Sequence, residues 1–142
     1  MEPESILDFH TGYEDILAAR ARPVTRENQI ALAIALVGSE NKKEIEEGVA
    51  MLEEIVKDTH SEDARVCVHY LALAHARLQN YDKSVNLLDA LLSTEPSNMQ
   101  ATDLRRVVQK KGKRNGLLGL GFFGGAAAVI AGVVIAAFAL HK

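Results

Sequence analysis

The sequence predicts an all-α protein with a C-terminal transmembrane helix. Between residues 24 and 95, a stretch without proline, apolar residues recur at helical rather than strand-like spacing. Two short segments of similar pattern lie 36 residues apart, which indicates a repeat of paired helices. From residue 117 to residue 140 no charged side chain occurs. A helix of that length extends about 36 Å, enough to cross a hydrocarbon core of about 30 Å.

Six helices are expected before the apolar segment. Residues that interrupt or begin helices separate the apolar runs, namely Pro23, Gly38-Ser39, Ser61-Glu62-Asp63, Asn80-Tyr81 and Glu95-Pro96. In order, the first helix is expected near 14–21, the second contains 30–37, the third 45–56, the fourth 66–78, the fifth 85–92, and the sixth spans roughly 99–111.

The third and fifth helices share a pattern, Gly48-Val49-x2-Leu52 and Ser84-Val85-x2-Leu88, near the ~34-residue period of tetratricopeptide repeats. Small residues such as Gly48, Ala72 and Ser84 allow antiparallel helices to approach closely. Two repeats alone would expose their end faces, so the first and sixth helices act as caps. The expected organisation is a six-helix tetratricopeptide-like bundle, with an N-terminal arm and first helix at 1–24, a cytosolic tetratricopeptide-like domain at 25–112, a basic juxtamembrane linker at 113–116 and a transmembrane anchor at 117–140.

Charge is divided unevenly along the chain. Residues 1–104 hold all 19 acidic and nine basic residues, a net charge of −10, whereas residues 105–142 hold seven basic residues and no acidic one. The acidic body argues against a nucleic-acid partner. The basic cluster before the anchor suits anionic lipid headgroups and a cytosolic orientation of the domain. The residues assigned to membrane targeting are Lys110, Lys111, Lys113, Arg114 and Lys142.

The anchor is followed only by His141 and Lys142, which indicates insertion after synthesis, as in tail-anchored proteins. Gly121 and Gly125 lie four residues apart, and small residues at that spacing allow two membrane helices to pack closely. Dimerisation through the anchor is therefore one interpretation. The simpler one is that glycine and alanine only keep the span mildly hydrophobic.

Several segments together carry a family resemblance. They are 13–17 in the first helix, 47–54 in the third, and above all Tyr70-Leu71-Ala72-Leu73-Ala74-x2-Arg77-Leu78-x2-Tyr81-x-Lys83-Ser84. Residues 91–101, with Glu95-Pro96-x-Asn98-x-Gln100-Ala101, then lead through a basic stretch to Gly116-Leu117-Leu118-Gly119 and the anchor. From about residue 12 to its end, the chain resembles the mitochondrial fission 1 family.

The resemblance implies a non-enzymatic adaptor without a cofactor, on the mitochondrial outer membrane and on peroxisomes. It also implies partners: dynamin-related GTPases, bound directly or through adaptors, and Rab GTPase-regulating proteins. In relatives the N-terminal arm can lie over the partner groove. Here the segment Arg20–Arg26 is shortened and contains Pro23, which argues against such covering.

A partner is expected on the concave wall, which the first helix of each repeat forms. We hypothesise that this surface binds a short helical or extended peptide, with apolar contact from Leu73 and Ala35 and a guanidinium fork from Arg77. For each apolar residue the alternative is simple packing in the core. The expected lining is Asn28, Ala31, Ala35 and Gly38 in the first repeat and Val66, His69, Leu73, Ala76 and Arg77 in the second.

Other functions have less support. A tail-anchored co-chaperone receptor needs several cationic and amide side chains in its groove, whereas the inward positions offer only Arg77 and Asn28. No catalytic constellation is present, so an enzyme is not expected. His69 and His75 are six residues apart, unlike the i, i+4 pairs of helical metal sites, and no metal is expected. Cys67 lies on an apolar helix, where inert packing is favoured over redox chemistry.

Overall fold

The computed structural model describes residues 3–58 and 62–116, and it confirms the expected all-α fold over that part of the chain. We define the N-terminal arm as residues 3–12; it contains a short 3-10 helix, Pro3–Asp8. Six α-helices follow, as predicted: α1 (Tyr13–Arg20), α2 (Arg26–Val37), α3 (Lys42–Asp58), α4 (Glu62–Arg77), α5 (Tyr81–Thr94) and α6 (Met99–Arg114).

Side-chain caps begin helices at positions where the sequence changes from turn residues to a helical pattern. At the start of α2, Thr25 Oγ1 accepts a hydrogen bond from the Asn28 amide at 3.0 Å. At the start of α6, Asn98 Oδ1 accepts one from the Ala101 amide at 3.0 Å. Both bonds satisfy amides that the first helical turn leaves without a backbone partner. Ser61, part of the predicted cap of α4, lies outside the described residues.

Consecutive helices pack on one another, which is the arrangement of a helical-repeat array. Helix α4 is central, because it contacts α2, α3, α5, α6 and the arm. Its inner face is fully buried and forms the middle of the core, with Ala64, Cys67, Val68, Leu71, Ala72 and Ala74 all at 0% exposure.

The small residues predicted to allow close helix packing do so. Ser84 Oγ on α5 donates a hydrogen bond to the Ala72 carbonyl on α4 at 2.7 Å. A Cβ atom added at Gly48 of α3 would lie 2.9 Å from the Ala33 carbonyl oxygen of α2 and 3.1 Å from Leu36 Cβ. Each repeat is therefore held tightly where its two helices cross.

We expect Gly48→Ala to lower the free energy of unfolding by about 1–2 kcal/mol, because the added methyl forces α2 and α3 apart. The higher helix propensity of alanine offsets only part of that cost. Denaturant unfolding, followed by the helical circular dichroism signal, measures the change. Gly12→Ser is the matched control: a Cβ at position 12 meets only Asp15 Oδ2 at 3.6 Å, and serine suits the start of α1. Equal stability of the two variants would contradict the packing account.

Helix α6 is longer than the sequence predicts. It continues to Arg114 instead of ending near residue 111, so Lys113 and Arg114 lie in its last turn and not in a linker. The added turn follows Gly112, and glycine weakens a helix by about 1 kcal/mol. In the structure Gly112 is buried, and just beyond the helix Asn115 Nδ2 donates to the Tyr81 hydroxyl at 3.1 Å. These tertiary contacts support the added turn.

The basic residues assigned to membrane targeting therefore lie on a helix. Lys110, Lys113 and Arg114 are exposed there, and Lys111 is half-buried. None of the helices in the described ranges is both long and apolar enough to cross a bilayer. The predicted anchor 117–140, with Gly121 and Gly125, and the terminal Lys142 lie outside those ranges.

Candidate partner-binding groove

Helices α2 and α4, the first helices of the two repeats, contact each other and supply the expected concave wall. The two ends of this wall differ in exposure. Its lining residues toward the N-terminal ends of both helices are accessible, whereas those toward the C-terminal ends are covered. Val66 is exposed, Asn28, Ala31, Ala35, His69 and Arg77 are half-buried, and Gly38, Leu73 and Ala76 are buried.

The N-terminal arm covers the C-terminal ends of α2 and α4. Leu7 is only 6% exposed and belongs to the same hydrophobic cluster as Leu73 and Ala76. The Thr11 amide donates a hydrogen bond to the Gly38 carbonyl at 2.7 Å. The expectation that the short segment at 20–26 prevents such covering is therefore wrong. The arm docks through residues that precede α1, and the length of the later loop does not limit them.

Gly38 is the point at which the arm crosses α2. A Cβ atom there would lie 2.1 Å from Thr11 Oγ1, 2.9 Å from the Thr11 backbone nitrogen and 3.0 Å from Phe9 Cε2. The backbone of Gly38, with φ of −84°, suits any residue. Glycine is therefore required at position 38 because any larger side chain would clash with the docked arm.

Arg77, predicted to offer its guanidinium to a partner, uses one nitrogen of that group within its own chain. Its Nη1 donates hydrogen bonds to the Val37 carbonyl and, at 2.9 Å, to the Ser39 carbonyl. It thereby satisfies carbonyl groups at the C-terminal end of α2, which otherwise lack a helical partner. Burial lowers the pKa of Arg77, and the carboxylates of Asp8 and Glu40 act in the opposite direction. One nitrogen of the group expected to bind a carboxylate or carbonyl of a partner thus already has partners within the chain.

Three aromatic rings connect the arm to the accessible end of the groove. The Phe9 and Tyr70 ring centroids are 5.8 Å apart with the planes tilted by 52°. His69 meets Tyr70 edge-on at 5.4 Å. Each aromatic contact of this kind stabilises the packed arrangement by about 0.5–1.5 kcal/mol beyond the effect of burying the rings. A movement of the arm would therefore remove the contact between the Phe9 and Tyr70 rings.

The accessible end of the wall opens into a cleft of about 420 Å³ between α4 and the beginning of α6. We call it the α4–α6 cleft. Val66, which is 42% exposed, gives it an apolar side chain that the core does not use. The lining comprises Arg65, Val66, His69, Tyr70, Leu91, Glu95, Asn98 and Gln100.

Polar groups at one end of the α4–α6 cleft are held in place by one another. The Arg65 guanidinium pairs with the Glu95 carboxylate across the gap between α4 and the α5–α6 turn. The second carboxylate oxygen, Glu95 Oε1, accepts a hydrogen bond from Asn98 Nδ2 at 3.1 Å. Burial lowers the pKa of His69, which favours the neutral form of its imidazole. The cleft therefore offers the exposed apolar side chain of Val66 beside an ion pair, a suitable surface for a peptide.

Two of the cleft residues, Val66 and His69, are among those predicted to line the groove. The sequence reasoning missed the other six because it treated only the α2 and α4 faces as the wall. A signal was present, since Glu95, Asn98 and Gln100 all belong to the segment that carries the family resemblance. That segment was interpreted only as a turn and a helix cap, and its place beside α4 is a tertiary feature.

Cys67 and His75 are buried on α4. Burial raises the pKa of the Cys67 thiol to about 11, so it is protonated at pH 7 and unreactive. This agrees with the inert packing expected from the sequence. His75 is 7% exposed, and burial lowers its pKa to about 4. Within the described ranges, no three histidine, cysteine, aspartate or glutamate side chains come together as metal ligands would.

Comparison with known proteins identifies relatives over most of the chain. Family models match at residues 27–59 (Fis1 N-terminal tetratricopeptide repeat) and 65–117 (Fis1 C-terminal tetratricopeptide repeat). The FIS1-related protein fis-1 of Caenorhabditis elegans is 73% identical over 143 residues, covering 100% of both chains. The mitochondrial fission 1 protein of Homo sapiens is 35% identical over 130 residues, covering 92% of this chain and 84% of its own. Yeast Fis1, crystallised with an Mdv1 fragment, has a similar fold, with a TM-score of 0.72 at 21% identity over 80% of this chain and 94% of the yeast chain.

Proposed function

This chain belongs to the Fis1 family of mitochondrial fission proteins, and we propose that it is a tail-anchored adaptor whose concave groove recruits the fission machinery. Membership of the family confirms that the chain is not an enzyme. It also implies the mitochondrial outer membrane as its location. In our proposal the partner is a dynamin-related GTPase or its adaptor, bound through a short helical or extended segment.

The observation that carries this proposal is the arm lying on the groove. Leu7 and Phe9 bring apolar side chains onto the wall, and the Thr11 amide bonds to the carbonyl of Gly38. A wall that accepts apolar side chains and a main-chain donor from its own chain presents the chemistry that a peptide from a partner needs. The partner segment would begin in the α4–α6 cleft and extend where the arm now lies.

The choice of an adaptor as partner is supported by a relative, since yeast Fis1 has been crystallised in complex with an Mdv1 fragment. In our proposal the α6 residues Lys110, Lys111, Lys113 and Arg114 contact anionic headgroups, and residues 117–140 anchor the chain. The peroxisomal membrane and Rab GTPase-regulating proteins remain part of the proposal on the strength of the sequence resemblance alone.

A co-chaperone receptor has less support from the groove. Such receptors hold an acidic peptide with several cationic side chains. In the part of the wall that the structure describes, Arg77 is bonded to the carbonyls of Val37 and Ser39, and Arg65 is paired with Glu95. Both guanidinium groups already have partners within the chain, which disfavours a carboxylate clamp.

We expect Val66→Glu to weaken binding of a fission-adaptor fragment about tenfold, because it replaces the exposed apolar side chain of the α4–α6 cleft with a charged carboxylate. Titration of the full-length chain in lipid nanodiscs with a labelled fragment measures this. Since Val66 is already 42% exposed, the melting temperature should change little.

Val24→Glu is the matched control for Val66→Glu. Val24 is 84% exposed and lies in the loop before α2, away from the α4–α6 cleft. The same substitution there should leave adaptor binding unchanged. Equal binding by both variants and the unmodified chain would contradict the cleft as the recruitment surface.

A further inference from the structure

Thr25 lies in the longest exposed run in the described part of the chain. All residues from 20 to 27 are exposed, and 21–25 form the loop between α1 and α2. Thr25 has an extended backbone, with φ of −126° and ψ of 162°. Protein kinases bind the residues around an acceptor hydroxyl as an extended, accessible segment. The loop before α2 presents Thr25 in that form.

The residue three positions before Thr25 is Arg22. It is exposed, and among the described residues its guanidinium has no ion-pair partner. Basophilic kinases select a cation at this position, because a carboxylate of the kinase pairs with it. Of the 11 serine and threonine residues in the whole sequence, Thr25 alone has arginine or lysine three residues before it. Exposure and charge pattern therefore single out the same hydroxyl.

We propose that Thr25 is a phosphorylation site for a basophilic serine/threonine kinase. Thr25 Oγ1 attacks the γ-phosphorus of the ATP that the kinase holds, and a bond from Oγ1 to phosphorus forms. The bond from that phosphorus to the β–γ bridging oxygen breaks, ADP leaves, and the hydroxyl proton passes to the catalytic carboxylate of the kinase. The product carries between one and two negative charges at pH 7.

The added phosphate would act on the first turn of α2. Thr25 Oγ1 already caps this helix by accepting the Asn28 amide, and Arg26 follows directly. Negative charge at the start of a helix is stabilising, and flanking arginines add to that effect. Thr25 precedes Asn28, Ala31 and Ala35, three of the residues predicted to line the groove, at helical spacing. The phosphate would therefore lie at the N-terminal end of this row of residues.

The test uses the full-length chain in lipid nanodiscs, the catalytic subunit of cAMP-dependent protein kinase and ATP. Mass spectrometry of the tryptic peptide 21–26 should show one phosphoryl group on Thr25. Arg22→Ala keeps the acceptor and should reduce the initial rate about tenfold, because one charged contact with the kinase is lost. Thr25→Asn should show none in this peptide and should still fold, since asparagine is an equally good N-cap.

Absence of phosphate from the unmodified chain, or an unchanged rate in Arg22→Ala, would overturn the proposal. A second readout tests where the phosphate acts. The phosphorylated chain should melt a few degrees higher than the unmodified one, because the charge supports α2. A lower melting temperature after phosphorylation would contradict the placement of the phosphate at the start of this helix.

Discussion

Replacing Gly38 with alanine is expected to raise the affinity of the chain for a fission-adaptor segment by about thirtyfold. The new methyl would lie 2.1 Å from Thr11 Oγ1 and 2.9 Å from the Thr11 backbone nitrogen. Because the second of these atoms belongs to the backbone, a rotamer change cannot relieve the overlap. The arm has to leave the C-terminal ends of α2 and α4, and the covered part of the groove opens.

The size of the effect follows from what the arm buries. Burying one leucine side chain such as Leu7 stabilises the docked arm by about 1.5–3 kcal/mol relative to leaving it exposed. If closing the arm is favourable by about 2 kcal/mol, only about 3% of molecules are open at a given time. A partner that binds only the open form then has its apparent affinity reduced by that fraction, and Gly38→Ala removes the reduction.

Two measurements on the full-length chain in nanodiscs test this expectation. Hydrogen exchange at the Thr11 amide, which bonds to the Gly38 carbonyl, should be slow in the unmodified chain and fast in Gly38→Ala. Titration with the adaptor fragment should show the rise in affinity. Gly12→Ser is the control, because a Cβ there meets no atom closer than 3.6 Å. Fast exchange at Thr11 without tighter binding would show that the arm does not compete with the partner.

The helices could be predicted from the sequence because their signals are local. Apolar periodicity and turn residues such as Asn80 and Glu95-Pro96 lie within a few positions of the ends they mark. The end of α6 could not be predicted in this way. It depends on the burial of Gly112 and on a hydrogen bond from Asn115 to Tyr81, which are 34 residues apart.

The groove was predicted less well than the fold because exposure is a tertiary property. Helical spacing places Leu73 and Arg77 on the concave face of α4 but cannot show that another part of the chain already occupies that face. The carbonyls that Arg77 binds are those of Val37 and Ser39, 40 and 38 residues away. Arg77 was expected to bind a carboxylate or carbonyl of a partner, and in the structure its Nη1 binds two carbonyls of its own chain.

Acid is expected to destabilise the fold through His75. Its imidazole is 7% exposed, and Nδ1 has no hydrogen-bond partner in the described part of the chain. Burial, and secondarily the nearby Lys83 ammonium, lowers the pKa of His75 to about 4 from an ordinary value of 6.5. Below pH 6.5 the His75 imidazole of the unfolded chain binds a proton, whereas in the folded chain it is protonated only near pH 4. Stability therefore falls as the pH drops through this window and is unaffected above it, with a total loss of about 3 kcal/mol.

His75→Gln should remove this loss, because glutamine does not titrate. Urea unfolding of the full-length chain in detergent micelles, between pH 7 and pH 4, gives the free energy of unfolding of each variant. The unmodified chain should lose about 3 kcal/mol more than His75→Gln over that range. Burial lowers the pKa of His69 as well, so a smaller loss with the same sign should remain in the variant. His10→Gln, which changes an exposed histidine, should keep the full loss. Parallel curves for the unmodified chain and His75→Gln would show that the buried imidazole is not what makes the fold sensitive to acid.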